Sequence, residues 1–445
     1  MGEVMRRHYL RSALLAIMLL VGALALVAGV ALGKGGPKPP PPPPSGHLNV
    51  ILFIGDGMGP NHLEVARQLN GGALMIDGIL WGGKGTLDTT SLGDVVTDSA
   101  AGGTALATGQ ETWNNWVSMG PNAAGDIVSF PTALERAEAT GKATGLITDL
   151  ELSDATPAVF AAHVRDRDLG EDITRQMAAH GIEVLFSGDW SESSLLGTPD
   201  VTSLTQLNPY LAGTTPWPTK MHGIFGNTTL AYNIDREEEG VLRTQPTLPQ
   251  LTQAAIGVLS QDPDGFFVMI EDGSNDWGGH SRDSAWVGAE IRELDQAVTY
   301  AYEWAKARPT QDTLIIVEAD HETGGLIVGS TTKYALIAKQ KASTEWMWGL
   351  ISAGKMTVEK TLATYAAIKV TAAEKALILQ NGEMGISDVL AARFGVKWGW
   401  SGTDEGDHTA TPVPVMAWGP GASAFNIPGL DNEVSGRALL DAVSH

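Results

Sequence analysis

At 445 residues and 43% hydrophobic content, the chain can bury a large core, as one α/β domain carrying insertions or as two or three domains. With 51 acidic against 29 basic residues its formal net charge is -22, which argues against nucleic acid as the main partner, because phosphate backbones are held by lysine and arginine. The absence of cysteine excludes disulfides, thiolate zinc sites and a cysteine nucleophile, so any metal must sit on Asp, Glu, His and hydroxyl groups. The acidic balance serves solubility, and it is compatible with a small anionic substrate where bound cations reverse the local sign.

Arg6, Arg7 and Arg11 precede an almost wholly apolar run from Ser12 to Leu32. A basic start followed by an apolar run is an export signal, and this run is also long enough for an uncleaved membrane anchor. Arg6-Arg7-His8-Tyr9-Leu10 has the look of a twin-arginine signal. Residues 1–33 are therefore read as signal or anchor, which predicts an exported protein: periplasmic, extracellular or attached to the cell surface. Residues 34–46 are a linker whose prolines run unbroken from Pro39 to Pro44, a stiff polyproline II spacer or a remnant after cleavage.

The globular part begins near His47. Short apolar runs at Asn49–Ile54, Gly145–Ile147, Phe266–Ile270, Leu314–Val317 and Val413–Ala417 lack alternation and predict strands buried on both faces. Pro131–Ala139 and Ala285–Ala307 read as helices. Alternation of this kind predicts a three-layer α/β/α sandwich around a mostly parallel sheet. Residues from about 331 to 400 break the rhythm, with frequent Lys, Ala and Trp and a capping box at Thr371–Glu374, and read as a crown-like insertion. Trp346, Trp348, Trp398 and Trp400 either line the approach to a site or form the insertion's own small core.

Acids follow nearly every buried run: Asp56, Asp149 and Asp154, Glu271 and Asp276, and Asp320 beside His321. Ligands of open α/β sheets bind at the carboxyl ends of the strands, so these groups should converge on one edge. So many carboxylates together repel one another unless cations neutralise them, which points to several bound metal ions. Gly55-Asp56-Gly57-Met58-Gly59 superficially resembles a dinucleotide fingerprint, but its acid would repel a pyrophosphate, and a metal-ligating turn fits better. Asp276 and His280 are spaced to face one ion from a single helical turn, or to form a surface ion pair. Asp320-His321 offers two adjacent ligands or an ordinary acidic loop, and His408 sits in another such loop, where a lone histidine is usually structural. Thr97-Asp98-Ser99-Ala100-Ala101-Gly102-Gly103 is a helix start with a capping acid, and it also presents a hydroxyl nucleophile at a positive helix end.

Taken together, Asn49–Gly59, Val96–Gly109, Asp154–Arg167, Glu271–His280, Ala319–Gly325 and Gly406–Ala422 strongly resemble the alkaline phosphatase family, in the family's order. The resemblance implies hydrolysis of phosphate monoesters through a phosphoserine on Ser99, with Arg167 clamping the phosphate and Arg165 as its rival. It implies two zinc ions and one magnesium ion. Asp276, His280 and His408 would hold the first zinc, and Asp320 and His321 the second. Asp56 would bridge the second zinc and the magnesium, which Asp154, Thr156 and Glu271 complete, Asp154 through water. A homodimer is an assembly the resemblance allows. After Asp276 the chain has Trp277, where many members carry Lys or His, though some bacterial members share the Trp. The rival readings are a phosphodiesterase or sulfatase on the same scaffold, or a non-catalytic surface protein binding phosphate or metal. The full set of Asp56, Thr156, Glu271 and Arg167 favours monoesters.

Overall fold

The computed structural model describes residues 48–189, 193–399, 408–426 and 428–445. The signal or anchor, the proline linker, Trp400 and Gly406-Asp407 lie outside the described residues.

Among the described residues nine strands form the main sheet: β1 (Asn49–Gly55), β2 (Gly83–Asp88), β3 (Ala143–Ile147), β4 (Val184–Ser187), β5 (Met221–Ile224), β6 (Phe266–Asp272), β7 (Thr313–Glu318), β8 (Val413–Trp418) and β9 (Pro428–Asp431). Their spatial order is β9-β2-β8-β7-β1-β6-β3-β4-β5. Every residue of β1, β3, β6 and β7 is buried, because helices cover both faces. Helices Pro60–Leu69, Leu248–Leu259 and Ser284–Lys306 pack together on one face. Ser99–Thr108, Ala133–Ala139, Ala155–Ala161 and Asn432–Val443 pack on the other. The sheet is parallel except for β8, which runs against both β7 and β2. The expected three-layer sandwich is the observed fold.

The register aligns the functional edge. Ile54 of β1 pairs with Glu271 of β6 on one side and with Glu318 of β7 on the other. Asp56, Glu271 and Asp320 therefore emerge side by side. The reversed β8 begins at this same edge, and its lead-in His408–Thr409 pairs with Glu322–Thr323.

Residues 334–394 form five helices around a core of their own that includes Met347, Leu362, Ile378, Ile386 and Phe394, closed against Val65 and Val287 of the body. The box at Thr371 forms: its N–H donates to Glu374 Oε2 at 2.7 Å, and Glu374 N–H donates to Thr371 Oγ1 at 3.3 Å. Strand pairing of Leu326–Ile327 with Lys397–Trp398 closes the base. Trp348 and Trp398 pack against this core.

Candidate active site

Ser99 opens the Ser99–Thr108 helix. Asp98 caps it, accepting the Ala101 N–H at 2.9 Å. The run of small residues that follows has a packing reason. A Cβ on Gly102 would lie 2.7 Å from the Asp320 carbonyl oxygen. Glycine there lets the helix start approach the end of β7, and Ser99 Oγ comes to 3.1 Å from His321 Nε2. Gly57 meets a similar demand: its φ is +66°, and a Cβ would lie 2.8 Å from Asp276 Oδ1. The glycines after β1 thus admit carboxylates rather than a pyrophosphate.

Around Ser99 two groups of ligand-type side chains share His321. Asp56, Asp320 and His321 form one, and Asp276, His321 and His408 the other, each with its donor atoms mutually within 4.8 Å. His321 Nε2 lies 3.3 Å from Asp56 Oδ1 and 3.4 Å from Asp320 Oδ2. His280 joins the second group: its Nε2 is 3.1 Å from Asp276 Oδ2 and 3.3 Å from His408 Nε2. The His321 and His408 rings stack with centroids 3.7 Å apart. The His408 Nδ1 position is fixed at 2.9 Å from the Thr97 carbonyl oxygen, which leaves Nε2 directed at the group.

Beside Asp56, Thr156 donates its hydroxyl to Asp56 Oδ2 at 3.3 Å. Asp154 caps the Ala155–Ala161 helix, and Glu271 lies wholly buried next to it. Arg167 reaches in from the loop after that helix. Its Nη2 donates to Asp154 Oδ1 at 2.9 Å and its Nη1 to Asp98 Oδ2 at 3.3 Å. Arg165 is instead exposed, its guanidinium 5.3 Å from the Trp116 ring centroid. A cleft of about 820 Å³ opens here, lined by Arg167, Asp154, Ser153, Glu151 and Trp277 among others. Trp277 rests edge-on against Tyr232. No described residue of the insertion lines this cleft, and Trp346 borders a separate recess with Tyr232.

The electrostatics make these carboxylates costly as free anions. Burial raises Asp56 well above the ordinary carboxyl range, and Asp320, Asp276 and Glu271 raise it further. Burial and then Asp154 do the same to Glu271. Burial and Asp276 push Asp320 up to about 7. Asp276 moves the other way: burial opposes its charge, but His280, His408 and His321 outweigh burial. Burial, then His408, lowers His321. Arg167 is held above its usual value, since Asp154, Asp98 and Asp56 together exceed the cost of its burial. Asp56 Oδ1, Asp320 Oδ2 and both Glu271 oxygens are buried without a hydrogen-bond partner among the described residues. Such oxygens are costly as free anions and suited to divalent ions, so this all-O/N donor set fits metal.

Eleven side chains given catalytic or metal roles by the resemblance lie at this edge: Ser99, Arg167, Asp56, Asp154, Thr156, Glu271, Asp276, His280, Asp320, His321 and His408. Asp149, also expected here, instead joins Asp272 and Glu290. Thr323 was missed. Its hydroxyl bridges Asp276 Oδ1 and, at 3.2 Å, His321 Nδ1. Its signal was a hydroxyl two residues after a ligand-type histidine, of the kind that orients ligands from behind.

A family profile described as alkaline phosphatase matches residues 47–192 and 204–440. Alkaline phosphatase 4 of Bacillus subtilis is 33% identical over 425 residues, covering 88% of this chain and 87% of its own. The cold-active alkaline phosphatase of a Shewanella species superposes with a TM-score of 0.74 at 26% identity, covering 89% of this chain and 99% of its own. The Thermus thermophilus alkaline phosphatase shares the fold, with a TM-score of 0.75 at 23% identity over 88% of this chain and 90% of its own. With that match over most of its length, the chain belongs to the alkaline phosphatase family.

Proposed function

We propose that the protein hydrolyses phosphate monoesters to alcohol and inorganic phosphate through a phosphoserine on Ser99. The observation that carries this reading is the Ser99 hydroxyl, held at a helix N-terminus beside His321 and a group of orphaned carboxylate oxygens. A pure binding protein has no use for a nucleophile there. Asp276, His280 and His408 would hold one zinc ion. Asp320, His321 and Asp56 would hold a second. Asp56, Thr156 and Glu271, with Asp154 through water, would hold magnesium. When bound, the ions lower the pKa of the attacking hydroxyl and stabilise charge on the leaving oxygen.

Arg167 supplies two N–H donors in a plane that matches two phosphate oxygens, and Asp154 and Asp98 hold it on the cleft wall. The helix start at Ser99 adds positive potential under the phosphate. Ser99 Oγ attacks phosphorus while the ester oxygen departs on the opposite side, and the Ser99 proton, passed through solvent, ends on that oxygen to give the alcohol. Water then attacks the phosphoserine and restores Ser99. The basic residues before the apolar run Ser12–Leu32 further support export of the protein.

The test is turnover of a chromogenic phosphate monoester with and without chelator, with phosphodiester and sulfate analogues in parallel. Chelator-sensitive turnover of the monoester, well above the analogues, is the expected result. Preference for the diester or the sulfate would replace this reading.

A further inference from the structure

A second set of carboxylates stands apart from the group at Ser99. Asp149 follows β3, Asp272 ends β6, and Glu290 lies on the buried side of the Ser284–Lys306 helix. One oxygen from each lies within 4.8 Å of the others, and all three residues are buried. Asp149 accepts the backbone N–H groups of Gly273 at 2.7 Å and Ser274 at 3.1 Å. Glu290 Oε1 accepts the Asn233 N–H at 2.8 Å. These bonds orient two of the carboxylates and leave lone pairs open. Asp272 is only 2% exposed, and its Oδ2 has no hydrogen-bond partner among the described residues. Among the described residues none of the three forms an ion pair.

Three buried carboxylates without a cation are unstable as anions. All three are buried, and the closeness of their oxygens adds mutual repulsion to the cost of burying each charge. Either protons or a metal ion must offset this charge. The donors are all hard oxygens, with no imidazole in the group, which suits calcium-type ions and disfavours zinc. We propose that Asp149, Asp272 and Glu290 bind a divalent calcium-type cation, additional to the ions proposed around Ser99. Such an ion would join the end of β3, the end of β6 and the long helix. Asp272 directly follows Glu271, and Asp149 grips the backbone where the Ser274–His280 helix begins. The ion would thereby fix the segment that carries Glu271, Asp276 and His280.

The test uses the full-length protein saturated with zinc and magnesium, then titrated with calcium chloride. Calorimetry and elemental analysis after dialysis give the stoichiometry. The expected result is one tightly held calcium per chain, lost in Asp272→Asn and retained in Thr156→Ala, whose change lies in the group at Asp56. If Asp272→Asn fails to fold, Glu290→Gln makes the same comparison. If neither folds, retention of calcium by Thr156→Ala supports the site. Protein that binds no calcium, as a proton-sharing group would, overturns the proposal. So does calcium that survives Asp272→Asn or Glu290→Gln, or that disappears with Thr156→Ala. None of these readouts depends on turnover, so the result stands apart from the proposed phosphatase chemistry.

Discussion

Ser99 Oγ stands 3.1 Å from His321 Nε2, although 222 residues separate the two in the chain. The contact joins a helix start on one layer to a strand end of the sheet. It exists because Gly102 lets the helix lie against the Asp320 carbonyl.

Replacing Ser99 by Ala should abolish phosphoenzyme while leaving metal content nearly unchanged. Turnover should fall by at least about a thousandfold, the scale on which loss of a nucleophile is felt. Acid-quenched labelling with radioactive phosphate reads this directly. Label that persists on the variant would assign the nucleophile elsewhere.

The two nearby arginines should behave differently. Arg167→Ala removes a guanidinium held against Asp154 and Asp98, and should weaken inhibition by inorganic phosphate roughly 10- to 100-fold, the worth of one or two charge-assisted hydrogen bonds. Arg165→Ala removes a side chain stacked over Trp116 and should change phosphate inhibition little. Equal effects would show that the clamp is misassigned.

Metal content should follow the grouping of ligands. His408→Ala should lose about one zinc per chain, as expected when one ligand leaves a site of three protein donors. Asp56→Ala should disturb more than one site, because Asp56 lies against both His321 and Thr156. Elemental analysis of dialysed protein decides both. Full zinc occupancy in His408→Ala would remove that residue from the site.

The insertion should dock less firmly as pH rises. Asp283 accepts the Thr344 N–H at 2.9 Å and two hydrogen bonds from Gln340, and Asp235 accepts the Ser343 N–H at 2.7 Å. Burial pushes Asp283 up to about 6 and Asp235 up to about 7, even against these donors. Both lie above the unfolded value of 3.8, so the folded state binds more protons in between. Their contribution is fully present below about pH 4 and is lost as pH rises through 6 to 7. Melting of the metal-loaded protein, followed across this window, should show a slope that Asp283→Asn reduces. An unchanged slope would mean that Asp283 does not titrate there.

The sheet centre was legible because β1, β3, β6 and β7 are buried on both faces and leave uninterrupted apolar runs. The outer strands were not. Gly83–Asp88 and Pro428–Asp431 are short and polar, and Met221–Ile224 contains His222 and Gly223. Pairing with a neighbour, rather than local composition, makes them strands. The ligand-type residues could be read because each follows a recognisable strand or sits four residues along a helix. Thr323 could not, since its role depends on where Asp276 arrives from another part of the chain. Asp149 misled for a related reason. Its place after β3 matched the pattern, but its oxygens accept from Gly273 and Ser274 and group with Asp272 and Glu290. The tryptophans of the insertion were left between two uses, and Trp348 and Trp398, half-buried, pack against its core.

The reversed direction of β8 also sets an order of assembly. His408 reaches Thr97 across 311 residues of chain. A ribosome releases the nucleophile's helix early, together with β1, but the imidazole that stands with Asp276 and His280 lies 311 residues beyond Thr97 and emerges much later. Until then, that trio lacks a member. A growing chain therefore cannot close the full set of donors until the lead-in to β8 has been made, and completion of the site waits for that segment to reach its place between β7 and β2.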